Sequence, residues 1–105
     1  MVIHKTSHAR YDLWYHIVWS TKYRKKVFKT PLTKQKVHTI LRTIANHYDM
    51  EIGEVNCLSD HVHLSVSAPP RIAPARIVQI LKSTSNKLLF KEFPWLRHLY
   101  WGGEI

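Results

Sequence analysis

Acidic residues are scarce in this 105-residue sequence: seven Asp and Glu stand against sixteen Lys and Arg, giving a formal net charge of +9 before any histidine is protonated. That imbalance favours a polyanionic partner. Cysteine occurs once, at Cys57, which excludes an internal disulfide and fits a reducing compartment. In a strand-like segment it reads as a small buried hydrophobe. With no Cys-x-x-Cys, a closed zinc site of that kind is excluded as well. Nothing approaches a run of about 18 apolar residues, and Met1-Val2-Ile3-His4-Lys5 lacks the apolar centre of a signal peptide. The expectation is a soluble, cytoplasmic protein with no membrane partner. Three glycines form neither a P-loop nor a dinucleotide pattern, and no Ser/His/Asp set or pair of acid/base carboxylates can be drawn from the chain.

What is present suffices for one packed domain. Hydrophobic residues make up 45% and aromatics 11%, enough to exclude wholesale disorder. A chain of this length buries roughly two-thirds of its unfolded surface, which suits a two-layer fold.

The first ten residues, with His4, Lys5, His8 and Arg10, read as a basic lead-in. From Tyr11 to Ser20 β-formers dominate and both faces are largely apolar, which predicts a central strand. A basic loop follows: Lys22, Tyr23, Arg24, Lys25, Lys26. After Pro31, the apolar positions Val37, Ile40, Leu41, Ile44 and Tyr48 recur at helical spacing. Glu51 to Leu58 predicts a second strand, weakened by Gly53, and Ser59-Asp60 a turn into a third strand starting at His61. Pro69 and Pro70 stop that strand. A second helix follows, entered near Pro74, with an expected buried stripe of Ile77, Ile80, Leu81, Thr84 and Leu88. Phe93-Pro94-Trp95 breaks it, and Arg97 to Trp101 predicts a last short strand. The order βαββαβ matches the α+β, ferredoxin-like arrangement of an antiparallel sheet with two helices on one face.

Strand alternation in Asp60-His61-Val62-His63-Leu64-Ser65-Val66-Ser67 separates His61, His63, Ser65 and Ser67 from Val62, Leu64 and Val66. The apolar set must face the helices, so the two imidazoles point to the open face. There they are either plain surface residues or two ligands of one ion. Two histidines with open positions suit Mg²⁺ or Mn²⁺, which must also hold water and a substrate oxygen. His16 reads as a buried, satisfied histidine, unless the register brings it beside them. Lys22, Tyr23, Arg24, Lys25 and Lys26 form either a solvated loop or a contact for a single strand's phosphates and an exposed base. Lys82 and Lys87, with Gln79 and Asn86, are either a solvated helix face or a second such contact. Phe93, Trp95, Tyr100 and Trp101 read as core or interface aromatics. None of the five tyrosines is a convincing nucleophile.

These stretches together resemble a known family. Tyr15 to Phe28 is similar to the opening signature of the small single-tyrosine transposases of bacterial and archaeal insertion sequences. Asp60 to Leu64 resembles their HUH motif; Gln79 to Lys82 with Phe93-Pro94 resembles their second helix and its exit, and Trp101-Gly102-Gly103 the element after it. The resemblance implies an enzyme that cuts and rejoins single-stranded DNA at element ends through a 5′-phosphotyrosine intermediate. It implies His61 and His63 as ligands of a divalent cation with a third polar ligand, a homodimer whose sheets join, subterminal DNA hairpins as the recognised feature, and a nucleoid-associated setting. It places the nucleophilic tyrosine, and a polar ligand four residues later, on a helix past Gly103, so that no catalytic tyrosine is expected up to Ile105. The alternatives are a non-catalytic single-stranded nucleic-acid-binding module on the same sheet and a decayed regulatory copy.

Overall fold

The computed structural model describes residues 4–5, 10–11 and 13–98, with side chains for 13–23 and 25–96. Two short strands, β1 (His4–Lys5) and β2 (Arg10–Tyr11), pair antiparallel where the sequence suggested only a basic lead-in. The main sheet is built from β3 (Trp14–Ser20), β4 (Glu51–Cys57) and β5 (His61–Ser67), all antiparallel, in the order β3-β5-β4. Two helices, α1 (Pro31–His47) and α2 (Pro74–Glu92), complete the α+β arrangement, which fits the ferredoxin-like class.

Local chemistry explains the element ends. Pro31 occupies the first turn of α1, and Thr30 and Thr33 cap it reciprocally: the Thr30 hydroxyl accepts the Thr33 N–H at 3.1 Å, and the Thr33 hydroxyl accepts the Thr30 N–H at 3.2 Å. At the other end Asp49 takes a left-handed φ of 58° while the Met50 N–H donates to the Ala45 carbonyl at 2.8 Å, which closes the helix and turns the chain into β4. Pro74 starts α2 without a side-chain cap at Ala73.

The core lies between the helices and one sheet face. Val62, Leu64 and Val66 of β5 pack there with Ile17 of β3, Ile52 of β4, Val37, Leu41 and Ile44 of α1, and Ile77, Leu81 and Leu89 of α2. The α1 stripe is as its spacing predicts, with Tyr48 half-buried at the helix end. In α2 the buried stripe runs through Ser85, Leu89 and Phe90 rather than Thr84 and Leu88. Ser85 is tolerated inside because its hydroxyl donates to the Lys82 carbonyl at 3.0 Å.

Two further expectations change. Among the described residues β5, not the first long strand, is the central one, and β3 pairs with β5 alone. The apolar open face of β3 comes from Trp14 and Val18, both exposed. Residues 94–98 form a 3-10 turn, with the Leu96 N–H donating to the Phe93 carbonyl at 3.0 Å and Leu96 buried. Arg97 and His98 are therefore helical rather than the start of a strand, since Pro94 sets a helical φ. Tyr100, Trp101, Gly102 and Gly103 lie outside the described residues.

Gly53 has a specific reason to lack a side chain. It sits at the register shift between Ile52 and Val55 in β4. A Cβ there would stand 2.5 Å from the Ser65 hydroxyl and 3.0 Å from the Trp14 ring, which reaches across β5 to it. The same Ser65 hydroxyl accepts the Glu54 N–H at 2.9 Å, so it cannot swing away without breaking that bond. Gly53→Ala is expected to cost about 1–2 kcal/mol in urea denaturation. An unchanged midpoint would mean that Trp14 lifts from the sheet at no cost.

Candidate metal centre and basic loop

His61, His63 and Ser65 lie on the sheet face opposite the core and are half-buried. Alternate positions on one rigid strand give both imidazoles the same outlook. His61 is oriented further: its Nδ1 lies 2.8 Å from Asp60 Oδ1. A carboxylate only accepts, so the neutral ring in this arrangement would carry its proton on Nδ1 and leave the Nε2 lone pair for a ligand. Carboxylate–histidine pairing of this kind is the usual support of a metal-binding imidazole.

His16 does not take the buried role predicted for it. It is exposed, and its ring meets that of His63 edge to face with centroids 4.4 Å apart. The register decides this: His16 pairs with Ser65 and Val18 with His63 across the β3–β5 ladder. Tyr15, Ile17 and Trp19 take the core side, so His16 joins the open face. Among the described residues no group of three or more His, Cys, Asp and Glu side chains assembles into a metal cage. The candidate donors are a pair of imidazoles on one strand, too few to close a site, so any ion held there would take its remaining ligands from water or substrate.

The basic loop is tied to the same end of β5. Ser20 pairs with His61. The Thr21 N–H donates to the Asp60 carbonyl at 2.8 Å, the buried Thr21 hydroxyl donates to the Lys25 carbonyl at 2.6 Å, and the Phe28 N–H donates to the Ser59 carbonyl at 3.0 Å. Lys22–Arg24 form a 3-10 turn in which Tyr23 has a φ of 61°. The Lys22 and Lys25 ammonium groups lie 5.5 and 5.8 Å from the centre of the Tyr23 ring. Lys26 is exposed beside them; of Arg24 the backbone alone is described. The structure thus anchors the turn that carries Lys22, Tyr23 and Lys25 at the Asp60–His61 end of β5.

Lys82 and Lys87 are not brought to this site. They sit on α2, in the helix layer that covers the opposite face of the sheet. Cys57 is buried, and that burial pushes its thiol from 9.0 up to about 11, with Lys34 opposing, so it is a core residue and not a nucleophile. Tyr15 and Tyr48 are half-buried against the core, which leaves Tyr23 as the exposed tyrosine among the described side chains.

A family model described as IS200-like transposase matches residues 9–105. The chain belongs to the IS200-like transposase family. It is 36% identical over 95 residues to the ISDra2 transposase TnpA of Deinococcus radiodurans, covering 90% of this chain and 67% of that protein. Identity is 31% over 94 residues to the transposase for insertion sequence element IS200 of Salmonella typhimurium, covering 90% of this chain and 61% of that one. The chain thus spans about two-thirds or less of the length of these curated relatives. A crystal structure of a Deinococcus radiodurans R1 protein described as a transposase superposes with a TM-score of 0.86 at 34% identity, over 96% of this chain and 77% of that one. No helix among the described residues is long and apolar enough to cross a membrane.

Proposed function

We propose that this IS200-like chain is the metal-binding core of a transposase that cleaves and rejoins single-stranded DNA at insertion-sequence ends, acting as a homodimer on hairpin-bearing strands. The observation that supports it best is the joint placement of the His61–His63 pair, with His61 oriented by Asp60 at 2.8 Å, and a basic loop hydrogen-bonded to that same Asp60. His61 and His63 would hold Mg²⁺ or Mn²⁺, which when bound supplies Lewis-acid polarisation of a phosphate oxygen.

The chain's other residues are assigned to binding and orientation. Lys22, Lys25 and Lys26 draw phosphates toward the open sheet face, and Asp60 holds the tautomer of His61. In the proposed reaction a tyrosine hydroxyl attacks the scissile phosphorus as the bond to the 3′ oxygen breaks. The products are a 5′-phosphotyrosine and a free 3′-hydroxyl that takes up the proton. The new ester keeps the energy of the broken one, so rejoining needs no nucleotide cofactor.

Binding to a single-stranded oligonucleotide that carries a hairpin, followed from 50 to 200 mM salt, tests the substrate part of this reading. Replacing Lys22, Lys25 and Lys26 together with glutamine is expected to reduce the steepness of log K against log[salt] by about 2, at about 0.7 per single-strand phosphate contact. An unchanged slope would remove the loop from the interface. A preference for RNA that survives chelation would favour a non-catalytic RNA-binding module instead.

A further inference from the structure

Tyr23 is a large aromatic residue that the fold does not use. It is 77% exposed, joins no core cluster, and sits at φ 61°, a backbone conformation that non-glycine residues seldom adopt and that concentrates at functional sites. The surrounding turn holds it there. Thr21 is buried and bonded to both Asp60 and Lys25, so the chain enters and leaves the turn at fixed points. Two ammonium groups attend the ring, from Lys22 at 5.5 Å and Lys25 at 5.8 Å.

We propose that Tyr23 is a stacking pedestal for one unpaired nucleobase of single-stranded DNA, with the Lys22 and Lys25 ammonium groups receiving the phosphates that flank it. The proposal deepens the single-strand reading given above and rests on it. A nucleotide offers a π-face with a phosphate on each side, and this turn offers an exposed ring attended by two cations. Stacking on an aromatic ring is open to any base, but only to one that is out of a duplex stack, so the pedestal selects unpaired strand over hairpin stem. Its position adds a second role. The turn is hydrogen-bonded to Asp60, the residue before His61, so the base seat is tethered to the end of the strand that carries the histidines. The number of nucleotides between the stacked base and the phosphate at the histidines is then set by the protein, which makes Tyr23 a positioning residue.

The experiment uses hairpin-flanked oligonucleotides with a single 2-aminopurine scanned through the unpaired segment, at low salt in EDTA so that metal plays no part. Wild type is expected to change the fluorescence strongly at one position. Tyr23→Asn, which suits the left-handed backbone, is expected to abolish that change and weaken binding about tenfold. Its salt slope should stay the same, because no charge is lost, and its melting temperature should not fall. Tyr23→Phe and Tyr23→Trp are expected to keep the signal. Retention of the signal or of full affinity in Tyr23→Asn overturns the pedestal while leaving single-strand binding intact. A Tyr23→Phe variant as weak as Tyr23→Asn also overturns it, since the hydroxyl would then be the contact. Failure of wild type to bind the single strand at all would overturn both readings together.

Discussion

Alanine in place of both His61 and His63 is expected to abolish saturable Mn²⁺ binding by this chain in calorimetry, a loss of at least about 100-fold in affinity. Both rings lie on the open face and neither belongs to the core cluster, so the double variant should melt close to wild type. The loss can then be assigned to the ligands and not to the fold. Asp60→Ala provides an internal grading. It removes the carboxylate that lies 2.8 Å from His61 Nδ1 but leaves the Asp60 carbonyl that anchors Thr21. Its affinity should fall about 10- to 100-fold, the range seen when an outer partner of a metal-binding histidine is lost. Superimposable Mn²⁺ isotherms for wild type and the double variant would end the metal reading.

Leu64→Ala is expected to produce the largest loss of stability, about 3 kcal/mol. Leu64 is 1% exposed and lies between Ile17 of β3 and Val55 of β4 in the centre of the sheet. Its neighbours in the ladder are fixed from both sides, so the vacated space cannot collapse readily. In a domain of this size such a change should lower the melting temperature by about 10–20 °C. Val18→Ala is the matched control, for Val18 is 57% exposed on the opposite face of the same sheet and loses little burial. A shift of only a few degrees in Leu64→Ala would mean that the helices settle into the gap.

Much of the candidate site was legible because one physical rule governs β5. Strict alternation over His61–Ser67, together with two helices that need an apolar surface, left a single solution for which face the imidazoles occupy. The α1 stripe was equally clear, with Val37, Ile40, Leu41 and Ile44 on one side and, past the first turn, only polar residues on the other. In α2 the spacing admits two phases, and the choice of Ser85 over Thr84 depends on packing and on the bond from Ser85 to Lys82. The face of His16 is not legible in the sequence, because Trp14 and Val18 make both faces of β3 apolar and only the register with β5 decides between burial and a place beside His63. The link from the basic loop to the histidines is non-local: the Thr21 hydroxyl and the Asp60 carbonyl are 3.2 Å apart in space but 39 positions apart in sequence. No local pattern announces such a contact. Over Arg97 and His98, the influence of Pro94 outweighed the aromatic, strand-like composition.

The central place of β5 bears on when the metal half-site exists. Its amides and carbonyls are laddered to β3 on one side and β4 on the other, so exposing them to solvent exchange requires the sheet to come apart. Such strands open with free energies near that of global unfolding, while surface turns open far more readily. The two imidazoles are therefore mounted on the slowest-breathing part of the molecule, beside a surface turn expected to open sooner. Under the proposed metal reading, a cation would meet its protein donors already in place, with little of its binding energy spent on selecting a rare conformer.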